Sequence, residues 1–227
     1  MRLYTPPEIA RMAPASIVFQ RQLEPGQIEC IEWVKRTSKA LRIFELDDLI
    51  TNLPAKSAHR PNIAADIGQR LKQALALCDR FVTSTEPLAR AYGRHCAETI
   101  VVPNRLEKAR WLGLAPDRRP GKPRVGWAGA IGHRGDLGII AQLVETTAKE
   151  IDWVFFGLCP DALRPFVAEF HPWVPLHDYA AKLASLDLDL AVAPLEYHPF
   201  NETKSNLRLL EYGVLGYPVL CTDILPY

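Results

Sequence analysis

The chain has 227 residues, of which 48% are hydrophobic and 23% charged, and its formal net charge is +1. That length holds one large domain or two small ones with ample core, and the composition is ordinary for a globular protein. A charge this close to balance gives no basic stripe for nucleic acid, no apolar run approaches a membrane span, and Met1–Pro7 lacks a signal-peptide core, so a cytoplasmic protein is expected, with peripheral attachment to the inner membrane as an option.

Taken in order, Ser16–Phe19 reads as a buried strand and Pro25 to Ala40 as a helix. Leu41 to Asp48 reads as a second strand ending in the carboxylate pair Asp47-Asp48. Ala64–Ala76 is a helical stretch, Arg80–Thr83 a strand, Glu86–Tyr92 a short helix capped by Ser84 or Thr85, and Thr99–Val102 a strand. Strands alternating with helices imply a parallel sheet covered on both faces, hence α/β. The Asp47-Asp48 pair falls at the carboxyl end of a strand, where open α/β sheets bind ligands. It could hold a metal, take a proton from an acceptor hydroxyl, or cap the next segment.

Between Pro103 and Pro123 the alternation breaks. Pro116, Pro120, Gly121 and Pro123 cluster with Asp117, Arg118 and Arg119, which reads as a linker over 105–122 between an N-terminal lobe, 1–104, and a C-terminal lobe, 123–227. Beyond it Arg124–Ala128 is a strand, followed by a glycine-spaced loop, Gly126-Trp-Ala-Gly129-Ala130-Ile-Gly132-His133-Arg134-Gly135, and a helix from Asp136 to about Lys149. Asp152–Phe156 is a strand, Asp161–Glu169 a helix, Trp173–Pro175 a short strand, Tyr179–Ala184 a helix and Leu188–Ala193 a strand. The loop is neither a dinucleotide fingerprint nor a Walker loop. Gly129 lets a phosphate or sugar approach the backbone, or else makes a tight turn with Asp136 as N-cap. Asp187-x-Asp189 reads as a turn or cap.

Cys30, Cys78, Cys96, Cys159 and Cys221 are odd in number and never paired as C-x-x-C, which indicates reduced thiols rather than disulfides or zinc. His59, His95, His133, His171, His177 and His198 have no metal-ligand spacing, so no metal is expected.

The last stretch, Pro199 to Asp223, reads as loop, helix, turn and strand. Ser205 suits an N-cap, Leu207, Leu210 and Val214 fall at helical spacing, Gly216 stops the helix, and Pro218–Thr222 is a strand. The helix begins with Lys204 and Arg208, although a helix start carries partial positive charge and favours acids. An anion such as phosphate would complete that arrangement. The competing reading pairs Arg208 with Glu211 at i,i+3 and leaves the face solvated.

The motif Lys204-Ser205-x-Leu207, Glu211-Tyr212-Gly213, Gly216-x-Pro218-Val219 and Thr222-Asp223 resembles the donor-binding segment of retaining GT-B glycosyltransferases, the family that includes sucrose and glycogen synthases. The resemblance implies two Rossmann-like lobes with a cleft between them, both shortened, since a complete enzyme has more strands before Ile17 and a further helix after Tyr227. It implies a nucleotide-diphosphate sugar as donor substrate, with no separate cofactor, and a glycan, lipid-linked or protein hydroxyl as acceptor. Lys204 and the amides of Ser205, Asn206 and Leu207 would hold the diphosphate and Glu211 the ribose, with Gly129, Ala130 and Arg134 opposite. Lys204, His133 and Asp48 are the candidates for catalysis. The family's first glutamate would fall at Thr203, so it is missing here, Glu202 being one place out of register. A non-catalytic nucleotide-sugar or partner-binding module and a nucleotide-sugar 2-epimerase are the alternatives.

Overall fold

The computed structural model describes residues 4–116 and 120–227; residues 1–3 and 117–119, among them Met1, Asp117, Arg118 and Arg119, lie outside the described residues. The chain divides into two compact units, one running up to Leu53 and over Asn62–Pro103, the other over Pro54–Pro61 and from Asn104 onward.

The first unit runs α1 (Pro6–Met12), β1 (Ser16–Gln20), α2 (Pro25–Thr37), β2 (Leu41–Glu45), α3 (Ile67–Leu77), β3 (Arg80–Thr83), α4 (Glu86–Tyr92) and β4 (Glu98–Val101). Its four strands are parallel in the order β1-β2-β3-β4. Helix α2 starts on Pro25, whose missing N–H is one that a first turn leaves unsatisfied anyway, and it buries Ile28, Ile31 and Val34 at helical spacing. Phe44 and Phe81, in register on β2 and β3, are fully buried. Strand β2 stops at Glu45, three residues short of the expected Asp48. Asp47 Oδ1 and Asp48 Oδ2 both accept from Arg21 Nη2, at 2.6 and 2.7 Å.

The second unit adds α5 (Lys108–Trp111), β5 (Arg124–Gly129), α6 (Arg134–Thr147), β6 (Asp152–Gly157), β7 (Glu169–Pro172), α7 (Leu176–Ala184), β8 (Leu190–Ala193), α8 (Pro199–Glu202), α9 (Leu207–Val214) and β9 (Val219–Cys221). The sheet is parallel, in the order β7-β6-β5-β8-β9. Central β5 reads as a continuous buried run, as a strand covered on both faces must. Val125 and Trp127 enter one apolar layer with Leu137, Val144 and Phe155. Ala128 enters the other with Leu183, Tyr212 and Leu215, the alternation following from the two-residue period of a strand. That second layer also takes in Trp111. The expected linker therefore contributes a turn of helix and a buried indole to this unit.

Two expected elements differ. Asp161–Glu169 contains only a short tight turn over Arg164–Phe166, and the strand expected at Trp173–Pro175 lies at Glu169–Pro172. Pro165 has no N–H to give to a longer helix, while Trp173 stands 75% exposed.

At the amino end of β5, buried Arg124 braces three strands. Its guanidinium donates to the Glu169 carboxylate at 2.7 and 3.0 Å and to the carbonyls of Leu186 and Asp187 at 2.9 and 3.1 Å. Its backbone N–H donates to Asp189 Oδ2 at 2.8 Å. Asp187 turns the chain in left-handed geometry at φ 52, so the Asp187-x-Asp189 pair serves this turn. No helix among the described residues is long and apolar enough to cross a membrane.

Candidate functional site

At the carboxyl end of β5 the ladder to β8 stops after Gly126. Residues two apart on a strand direct their backbone groups to the same side, so Ala128 needs other partners there. Helix α9 supplies them. Tyr212 Oη accepts from the Ala128 N–H at 3.0 Å, and Arg208, one turn earlier on the same face, donates through Nη1 to the Ala128 carbonyl.

The same guanidinium reaches His133, with Nη2 3.3 Å from Nε2. A guanidinium only donates, so Nε2 accepts and the proton sits on Nδ1, which donates to Asp136 Oδ2 at 2.8 Å. His133 is thus a neutral, fixed tautomer. Burial, together with the positive charges of Arg208 and Lys204, pushes its pKa down to about 4 against the opposing pull of Asp136. Both ring nitrogens of His133 are thereby engaged within the protein.

Asp136 does more than begin a helix. Helix α6 starts at Arg134 with His133 as its N-cap, not at Asp136. The Asp136 carboxylate is 3% exposed and accepts through Oδ1 from the Glu196 N–H at 2.9 Å and from Asn201 Nδ2 at 3.1 Å.

Gly129 also meets a packing requirement of the protein itself. A Cβ there would lie 2.5 Å from Trp127 Cζ2 and 3.0 Å from Arg208 Nη1. The space is filled by the protein's own indole and guanidinium, with the Arg208 charge 5.6 Å from the Trp127 ring centroid. Trp127 is fully buried, and its Nε1 has no hydrogen-bond partner among the described residues.

Ahead of α9, the Lys204 backbone N–H donates to the Asn201 carbonyl at 3.2 Å, and its ammonium lies 4.7 Å from the Phe200 ring centroid. Ser205 is not the N-cap. Asn206 takes that place without a side-chain cap bond, and Ser205 Oγ accepts from Asn104 Nδ2 at 2.8 Å. Leu207 is the first helical residue, Ala130 and Arg134 are exposed beside the glycine loop, and Glu211 accepts from Tyr179 Oη at 3.0 Å. The Arg208–Glu211 pair is therefore not formed, because Arg208 is held on β5 and the glycine loop. Burial raises the Glu211 pKa, countered by Arg208 and by the Tyr179 hydrogen bond.

The structure thus gathers Gly129, His133, Lys204 and Arg208 around the head of α9, with Glu211 a turn further along. Asp48 lies in the first unit, tied to Arg21. Sequence reasoning gave Asp136 only as a possible N-cap and Tyr212 only as part of the motif, and it assigned no site role to Tyr179 or Asn201. The spacing of Asp136 three residues after His133, and of Tyr212 four after Arg208, was the signal for two of them.

Among solved structures, TarM superposes with a TM-score of 0.62 at 12% identity, covering 95% of this chain and 43% of that one. Sucrose-phosphate synthase from Thermosynechococcus elongatus gives 0.60 at 16% identity, covering 95% and 58%. The fold is that of the GT-B glycosyltransferases. A TarM variant from S. aureus in complex with fondaparinux, α-GlcNAc-glycerol and UDP gives 0.56 at 14% identity, covering 83% of this chain and 38% of that one. The chain spans from 38% to 58% of the length of these three GT-B structures. No protein-family model and no curated protein sequence matches it.

Proposed function

We propose that the chain transfers a sugar from a nucleoside-diphosphate sugar to a hydroxyl acceptor on a glycan, a lipid-linked precursor or a protein, working in the cytoplasm where such donors are made. The observation that carries this reading is Arg208. It is a partly buried cation whose hydrogen bonds go to a carbonyl and a neutral imidazole, and among the described residues no carboxylate is bonded to it. Lys204 adds a second positive charge at the same helix start. A diphosphate would supply the anion that Arg208 does not find among the carboxylates of the described residues.

Glycosyl transfer develops negative charge on the departing diphosphate, and fixed cations and helix amides meet that charge as it forms. Lys204, Arg208 and the amides at the start of α9 supply them in this site, so the proposed reaction needs no divalent ion. Glu211 would take the ribose hydroxyls, with Tyr179 orienting its carboxylate. Retention of anomeric configuration is supported by the likeness of Lys204–Asp223 to retaining enzymes alone. The protein's GT-B fold and a superposed TarM variant in complex with UDP agree with the donor class.

A second reading, nucleotide-sugar binding without transfer, is favoured by Asp48: the carboxylate offered above as a base for an acceptor hydroxyl is paired with Arg21. Titration calorimetry with UDP, GDP, ADP and the bare nucleosides, on wild type and Lys204→Ala, tests the site. The diphosphates should lose affinity in the variant while the nucleosides do not. Equal losses, or binding by neither protein, would remove the diphosphate site. Turnover of a donor sugar then separates transfer from binding.

A further inference from the structure

We propose that Asp136 is the positioning residue that joins the two halves of the diphosphate site, one carboxylate oxygen fixing His133 as an acceptor for Arg208 and the other fixing the segment that leads to Lys204. The role concerns the site read above as binding a nucleoside diphosphate, and so rests on that reading.

The two oxygens serve different elements. Oδ2 accepts the Nδ1 proton of His133, which leaves Nε2 with its lone pair toward Arg208. Oδ1 accepts from the Glu196 N–H and from Asn201 Nδ2. Asn201 is itself 2% exposed, bonds the Glu196 carbonyl with the same amide group at 2.9 Å, and receives the Lys204 N–H on its backbone carbonyl. One buried carboxylate therefore sets both the guanidinium that grips the end of β5 and the turn that delivers the lysine. A carboxylate is the only side chain of this size that offers an acceptor on both oxygens.

Asp136→Asn separates the two arms. Its amide oxygen can still serve Glu196 and Asn201, but its NH2 now faces Nδ1. His133 must then accept at Nδ1 and carry its proton on Nε2, which places a donor against the Arg208 donor. The imidazole nitrogens of 15N-labelled protein report this directly. Wild type should show the neutral form protonated on Nδ1, and Asp136→Asn the form protonated on Nε2. In the same variant the UDP dissociation constant should rise about tenfold or more, the scale of a charge-assisted hydrogen bond lost, while uridine affinity stays level. In a His133→Ala background, Asp136→Asn should change UDP affinity by no more than about twofold, because the relay is already cut.

A wild-type His133 protonated on Nε2, or doubly protonated at pH 7, overturns the proposal, as does unchanged UDP affinity in Asp136→Asn with the tautomer reversed. The wild-type spectrum needs no variant to fold. If UDP, GDP and ADP all fail to bind the wild type, the functional reading falls, while the imidazole spectrum still decides the positioning role.

Discussion

Gly129 and Trp127 are in such close contact that a single methyl group between them would lie 2.5 Å from the indole Cζ2. The same methyl would be 3.0 Å from Arg208 Nη1. Gly129→Ala should therefore lower stability by about 1–3 kcal/mol, the usual cost of overpacking, and also displace Arg208 and weaken UDP binding. Gly126→Ala is the control, since the atoms nearest its Cβ belong to Leu188, with Cδ2 at 2.4 Å. It should lose stability with UDP affinity per folded molecule unchanged. Denaturant melts and calorimetry on both variants check the contrast, and equal binding losses would count against Arg208 as a ligand-site residue.

The neutral state of His133 gives a pH dependence with a defined sign. Its folded pKa of about 4 lies below the ordinary 6.5, so below pH 6.5 the unfolded chain binds more protons than the folded one. Stability from this group is complete above pH 6.5 and falls as pH drops toward 4, by at most about 3 kcal/mol. His133→Asn should flatten the stability profile over that window. Glu169 acts at lower pH: hydrogen bonds from Arg124 hold its pKa down to about 2, so its contribution is present above pH 4.5 and disappears as pH falls through 2. A wild-type profile that is level from pH 6.5 to 4 would contradict the buried tautomer.

Helix α9 should respond to mutation in the reverse of the usual capping order. Asn206 holds the N-cap place without a side-chain bond, so Asn206→Ala should cost only a few tenths of a kcal/mol rather than the typical ~1. Ser205→Ala removes the acceptor for Asn104 Nδ2 and should cost about 1 kcal/mol, as should Asn104→Ala. A double mutant costing no more than either single one would show that the two losses are one bond, and fully additive losses would argue against it.

Glu211 and Tyr179 separate ribose binding from packing. Glu211→Gln should weaken nucleoside and nucleoside diphosphate alike by about 1–3 kcal/mol, because ribose is common to both. Tyr179→Phe removes the donor at 3.0 Å but keeps the ring stacked on Phe156 at 5.5 Å, so it should cost about 1 kcal/mol of stability with a smaller effect on binding. Loss of binding confined to the diphosphate in Glu211→Gln would remove the ribose role.

The architecture was legible where local signals agreed. Arg80–Thr83 and Glu86–Tyr92 were read with the bounds they have, because an apolar strand is followed there by Thr85 and Pro87, residues that start helices. Asp161–Glu169 was expected as a helix, which Pro165 in its interior cannot continue. The site was legible only in part. Lys204, Arg208 and Glu211 stood out by charge on one helix, but what they touch did not. Arg208 bonds a carbonyl 80 residues away, and Asp136 receives donors 60 and 65 residues along the chain. No periodicity in a single sequence encodes such pairings. The packing at Gly129 was hidden for the same reason, since the indole and guanidinium beside its Cα come from neighbouring and distant residues.

Arg124 gives the second sheet a division of labour. Its charge-assisted bonds tie β5 to Glu169 on β7 and to the turn before β8, all at the amino ends of the strands. The carboxyl ends, by contrast, are finished by glycines and by side chains reaching from α6 and α9. Substitutions at the carboxyl ends can therefore accumulate while the opposite rim keeps the strands in register. A scaffold anchored at one rim tolerates change at the other, and structures 12% to 16% identical to this chain share its backbone path.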